Sequence, residues 1–268
     1  QRMRLRKARQ PRHQPQRGET GCGMDAQQPA PVATLLGLLL RPDPALVARG
    51  EAPVSPDGMR AHGMRAALRE VLRAPDARLG TIAVAIGHLV MVGVMAMTPV
   101  HIRGAGHDAA HTLRIVGIVL SLHIAGMYAF SPLAGWLTDR IGRRAVIMTG
   151  TLVLLAACAT AGTAEHGTLQ LGIGLWLLGL GWSGTMVAGS TLLTESVPQA
   201  FRASAQGLSD LFMGIAGASA GALSGVVVQV WGYPVLAALA AGAAAPLIVL
   251  TLRRRPQPAL AAASSQTT

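Results

Sequence analysis

Charge, aromatic side chains and cysteine are all scarce in this 268-residue chain. Charged residues make up 13% and aromatics 3%, against roughly 25% charged in an average globular protein. The hydrophobic share is 51% before its 32 glycines are counted. So little charge with so much apolar surface excludes an ordinary soluble domain, and equally a disordered chain. The net charge of +11 raises the question of nucleic acid, but no aromatic precedes Tyr128, so platforms for stacking bases are missing. Cys22 and Cys158 lie far apart, and Cys158 sits in an apolar run, so neither a disulfide framework nor a metal-spacing pair is read. The sole lysine, Lys7, lies near the start, and no Walker loop, nucleophile elbow or cofactor motif occurs. These absences argue against an enzyme and against an ATP-driven pump.

What charge there is clusters. Residues 1–80 hold 14 Lys+Arg and 7 Asp+Glu, whereas residues 81–252 hold 6 and 5. Residues 1–31 are basic, Pro/Gln/Gly-rich and aperiodic, which predicts disorder, and no apolar core follows the basic start as a secretory signal would require. Beginning at Gln1, the chain is expected to be part of a longer reading frame. Val32–Leu40 is apolar but too short to span a bilayer. Within Gly58–Leu79, Met64, Leu68, Val71 and Leu72 share one helical face, with Arg65, Arg69 and Arg73 on another. That pattern predicts an amphipathic helix suited to an anionic cytoplasmic leaflet, or to a solvated linker.

From residue 81 the pattern becomes six apolar stretches, roughly 81–101, 113–137, 145–163, 169–192, 207–230 and 233–252. Each can cross about 30 Å of hydrocarbon at 1.5 Å per residue. They lack the polar face of a soluble core helix, and their length and want of alternation exclude barrel strands. The expectation is an all-α membrane protein with six transmembrane helices over 81–252 and a tail over 253–268. Basic residues in short loops orient it: Arg140, Arg143 and Arg144, then Arg202, then Arg253–Arg255. The opposite loops carry Arg103 with Asp108 and Arg114, then Glu165, then no charge near Trp231. Both ends of the unit are expected in the cytoplasm of a cell-membrane protein.

The most specific string is Gly135-Trp136-Leu137-Thr138-Asp139-Arg140-Ile141-Gly142-Arg143-Arg144. Positive-inside anchoring accounts for its arginines, but not for the carboxylate before Arg140 or the two flanking glycines. The string resembles the signature loop of the major facilitator superfamily, G-x-L-[AT]-D-R-x-G-R-[RK], and matches every fixed position. Glu195 and Arg202, seven apart in the next basic loop, resemble the E-x6-R pair of several of its branches. The resemblance covers about 32–252 and implies helices seven to twelve of a transporter, with Val32–Leu40 ending helix six and 41–80 as central linker. It also implies an inner gate of Gly135, Asp139, Arg140, Gly142, Arg143, Arg144, Glu195 and Arg202, paired across helix ends. Asp139 would sit against a neighbouring helix N-terminus, Gly207 permitting the approach. Asp210, three residues into the fifth span, reads as part of the same gate.

Ionisable groups inside lipid are expensive, which makes them functional candidates. His88 shares a face with Met91, Met95 and Thr98, while His123 is mid-span and Ser121 and Tyr128 share another face with Gly117. His88, Met91, Met95, Ser121, His123 and Tyr128 are candidate path-lining residues. A histidine can titrate near neutrality and couple protons to transport, or rest neutral on a backbone carbonyl. The methionine stripe reads as packing rather than a metal site. Gly217, Gly221 and Gly225 form a small-xxx-small ridge, for tight packing or for sliding. The expected function is secondary transport of a small organic molecule, proton-driven and tilted toward efflux, with protons, bilayer and a six-helix N-terminal half as partners. The alternative is a non-transporting truncated half, a scaffold or a product of gene decay. DNA upstream of Gln1 discriminates: six further in-frame spans favour the first, a nearby stop and start codon the second.

Overall fold

The computed structural model describes residues 63–253 except 105, 107, 165 and 166. The predicted disordered segment, the Val32–Leu40 run, Glu165, Arg254 and Arg255 lie outside the described residues. Among the described residues eight α-helices follow one another: α1 Met64–Arg73, α2 Pro75–Gly104, α3 Ala109–Tyr128, α4 Ser131–Ile141, α5 Arg143–Gly162, α6 Thr168–Glu195, α7 Arg202–Trp231 and α8 Tyr233–Leu252. Six segments among them are long and apolar enough to cross a membrane, α3 and α4 together forming the second. No strand occurs among the described residues.

Local chemistry sets the boundaries. Asp108 caps α3, its carboxylate accepting from the His111 N–H at 2.8 Å. Gly142 and Gly232 separate α4 from α5 and α7 from α8 at φ +94° and +84°, backbone open to glycine alone at little strain. The first span begins at Pro75, not at residue 81. Pro75 opens a helix readily, and Asp76 in the first turn suits the positive end of its dipole. The second span is broken at Ala129–Phe130, where the sequence suggests one continuous stretch. Pro132 has no N–H for the Tyr128 carbonyl, and Ser131 Oγ donates instead to the Met127 carbonyl at 2.7 Å.

Helix α6 is the hub, 67% of its core window being buried. Glycines on several of its faces admit three neighbours at backbone contact. A Cβ at Gly181 would lie 2.8 Å from the Leu154 nitrogen of α5, and one at Gly189 would lie 2.9 Å from the Gly80 carbonyl oxygen of α2. One at Gly179 would meet the His123 carbonyl oxygen of α3. Helix α7 packs on α2, and α8 on α5 and α2. The largest apolar core joins Val90, Val94, Leu154, Leu175, Leu178 and Leu236.

The amphipathic helix is shorter and faces differently from expectation. Ala67 and Val71 are its buried residues, Val71 clustering with Leu193, Val197, Ala205 and Leu208 and Leu68 packing against them, whereas Met64 and Leu72 are exposed. Its apolar face therefore rests on the end of α6 and the start of α7. Arg65, Arg69 and Arg73 remain on the outside, Arg73 paired with Glu70 at 2.9 Å.

Candidate functional site

Two clusters gather several of the residues singled out by the sequence. The first lies where helices of alternating direction end together. Arg143, at the start of α5, donates from Nε to Glu195 Oε2 at 2.9 Å and from Nη2 to Oε1 at 2.7 Å. Asp139 Oδ1, in the last turn of α4, is 3.4 Å from the same Nη2. The fork-on-carboxylate geometry is the strong form of an ion pair. Each partner also stands at the unfavourable end of its own helix, a cation at the start of α5 and an anion at the close of α6. Each charge thus relieves the other's conflict with its helix dipole, which makes the pair a contact between helix ends rather than a surface ornament.

Arg144 works beside it on different partners. Its guanidinium pairs with Asp76 at the start of α2 and donates to the carbonyl oxygens of Thr251 and Arg253, at 3.5 and 3.3 Å, where α8 ends. Asp76 sits where the α2 dipole favours an anion, and the guanidinium meets the carbonyl end of α8, although Arg144, like Arg143, opens α5 against its own dipole. Arg144→Gln is expected to destabilise the bundle by about 1–2 kcal/mol, since Asp76 and two helix-end carbonyls lose their donor at once. Melting in detergent reads it: a lowered midpoint is the prediction, an unchanged one contradicts it.

Asp139, Arg143 and Glu195 are thus brought together, but not every predicted gate residue joins them. Arg202 forms no ion pair with Glu195; the Glu195 carboxylate is taken by Arg143. Asp210 accepts from Gln206 Nε2 at 2.9 Å and is exposed, so it belongs to its own helix surface. Arg140 lies over the Trp136 ring, 5.8 Å from its centroid. Asp139 does not approach Gly207, around which nothing lies within 4 Å of a Cβ, nor is Gly135 crowded. Asp76 was missed in the sequence because it falls in the stretch read as linker.

The second cluster is made of rings inside the bundle. Trp182 of α6 donates its indole N–H to His88 Nδ1 of α2 at 3.2 Å. Tyr128, at the end of α3, meets Trp182 edge-on with centroids 6.2 Å apart, and is 61% exposed. Next to them Ser131 and Ser183 bond across α4 and α6 at 3.1 Å. Of the glycine ridge, Gly217 seats the His88 ring and Gly221 faces Val92, while Gly225 is open. Met95 is half-buried and Ser121 exposed, but Met91 is buried in the apolar core.

His123 does not line a path. It is fully buried between α3 and α6, where Nδ1–H donates to the Leu175 carbonyl at 2.8 Å. It is a staple between helices. Thr98 likewise serves packing: its hydroxyl bonds Tyr233 at 3.0 Å, with His101 stacked on that ring and bonded to the Ala164 carbonyl. Among the described residues no group of three His, Cys, Asp or Glu is placed to hold a metal.

Six apolar spans, one of them a glycine-lined hub, with ion pairs at one set of ends, define a multi-pass α-helical membrane protein. The profile of the Major Facilitator Superfamily matches residues 107–268. The chain is 39% identical over 196 residues to the uncharacterized MFS-type transporter YdeG of Bacillus subtilis (strain 168), covering 72% of this chain and 44% of that protein. It is 36% identical over 203 residues to YddS of the same organism, also an uncharacterized MFS-type transporter, covering 75% and 46%. With the riboflavin transporter RfnT of Brucella anthropi it shares 27% identity over 230 residues, covering 85% and 56%. The chain belongs to the Major Facilitator Superfamily. It spans about half the length of these curated relatives.

Proposed function

We propose that this chain is one six-helix half of a proton-driven secondary transporter for a small organic molecule. The observation that carries this reading is Arg143, whose exchangeable bonds tie the ends of α4, α5 and α6 together. Secondary transporters of this kind rock two bundles about a site near the bilayer midplane. In this reading the Arg143 cluster is the inner gate, intact while the cavity faces outward and open when helix ends separate. The cluster faces the cytoplasm, because Arg140, Arg143, Arg144, Arg202 and Arg253 all lie at that end. His88, Met95, Ser121 and Tyr128 line the path, and His88 carries the proton. An apolar, aromatic-poor wall suits amphipathic cargo and favours efflux; the name of the RfnT relative supports an organic cargo.

Two measurements test this. Single cysteines at Gly106 and Gly167 should label from outside intact cells, and those at Ile141 and Ala200 should not; outside labelling at Ile141 overturns the orientation. With a six-helix N-terminal half co-reconstituted, an imposed pH gradient should drive flux of amphipathic compounds. Flux insensitive to a protonophore contradicts proton coupling.

A further inference from the structure

An indole nitrogen donates and never accepts, so the 3.2 Å bond from Trp182 requires a lone pair on His88 Nδ1, with the ring proton on Nε2. A proton on Nδ1 would set two donors against each other. The indole bond and the protonated imidazole therefore exclude one another. On one side the ring packs closely on Gly217, where a Cβ would lie 2.7 Å from its Cδ2 and 2.9 Å from its Nε2. On its other side Trp182 rests against Tyr128 at 6.2 Å.

Among the described residues no charge is paired with the imidazole. On α6 the charged residue is Glu195, thirteen residues from Trp182 and about 20 Å along the axis. On α7, Asp210 is seven residues from Gly217, about 10 Å, and Arg202 is farther. Helix α8 brings Tyr233, bonded to Thr98, and α5 brings Arg143 and Arg144, held in their ion pairs, with the buried Cys158. Helix α3 brings Tyr128, whose ring meets Trp182, and His123, held on the Leu175 carbonyl, with His111 and Arg114 near its opposite end.

We propose that Trp182 is a proton-responsive latch. A hydronium ion gives its proton to His88 Nδ1 and leaves as water, the imidazole becomes imidazolium, and the indole N–H loses its acceptor. Trp182 is then released from α2 and moves against Tyr128, so that proton occupancy on α2 is passed through α6 to α3. Loss of the proton restores the bond. The latch rests on the reading of His88 as the proton carrier, and makes Trp182 a positioning residue that acts through it.

The test uses the chain with Trp136, Trp176 and Trp231 replaced by Phe, reconstituted in liposomes, leaving Trp182 as the single indole. Its emission should change between pH 8 and pH 5 along a one-proton curve. His88→Gln, which accepts the N–H without titrating, should lose the curve, and His123→Gln should keep it. His88→Asn serves if the Gln variant misfolds, judged by helical circular dichroism. Flat emission, or the same curve without His88, overturns the latch. With a six-helix N-terminal half co-reconstituted, gradient-driven flux alongside flat emission would remove the latch and leave proton-coupled transport standing. In the same partnered preparation, a His88-dependent curve without such flux supports the latch and removes the coupling.

Discussion

Glu195→Gln is expected to slow transport about fivefold while leaving protein level and substrate affinity near parental. The substitution keeps the size of the side chain and removes its charge. At their side-chain exposures of 29% and 48%, the Arg143–Glu195 pair is screened, and its forked geometry places it near the upper end of exposed pairs. The pair exists only in the state that holds these helix ends together, so its loss shifts the balance of states by about fivefold. Stability changes little because the groups lie at the water boundary. Asp139→Asn should follow the same direction with under a twofold effect, since its carboxylate is 76% exposed and 3.4 Å from Arg143. Initial rates of the partnered transporter at saturating and subsaturating substrate read both variants. A parental rate for Glu195→Gln contradicts a gating role for the pair.

The spans were legible because a bilayer imposes a length and a composition that little else produces. Gly142 and the charges around it were legible because each side chain of that loop answers a local demand, a positive φ or a helix end. What escaped depended on partners distant in sequence. The first span was read as starting at residue 81 because Asp76 and Arg78 look like linker. Yet Asp76 meets Arg144, 68 residues on, at the basic end. His88 and His123 look alike in the sequence, each a lone histidine in an apolar run. They part company because Gly126 and Gly179 bring α6 so close to α3 that the His123 ring is enclosed. Trp182 gave no signal, since an aromatic among leucines reads as core until a ring nitrogen 94 residues away receives its N–H. Glu195 and Arg202 were paired by spacing alone, and spacing says nothing about Arg143 arriving first.

The chain alone is expected not to transport. Its hub is well enclosed, but its second and fifth spans are 28% and 11% buried. Some of that exposure is Leu122, Ile124, Ile215 and Leu223, which lipid accepts as readily as protein does. The same helices also expose Gly117, Ser121, Gly214 and Tyr128, small or polar groups that gain nothing from acyl chains. With nothing opposite, the proposed path residues Tyr128 and His88 would line one wall rather than a cavity. Alternating access needs a second bundle to rock against. The most direct measurement is flux of an amphipathic panel into proteoliposomes under an imposed proton gradient, with this chain alone and with a co-expressed six-helix N-terminal half. The account predicts gradient-driven flux with the partner half and none without it. Gradient-driven flux by this chain alone would contradict it and make the functional unit a dimer of identical halves.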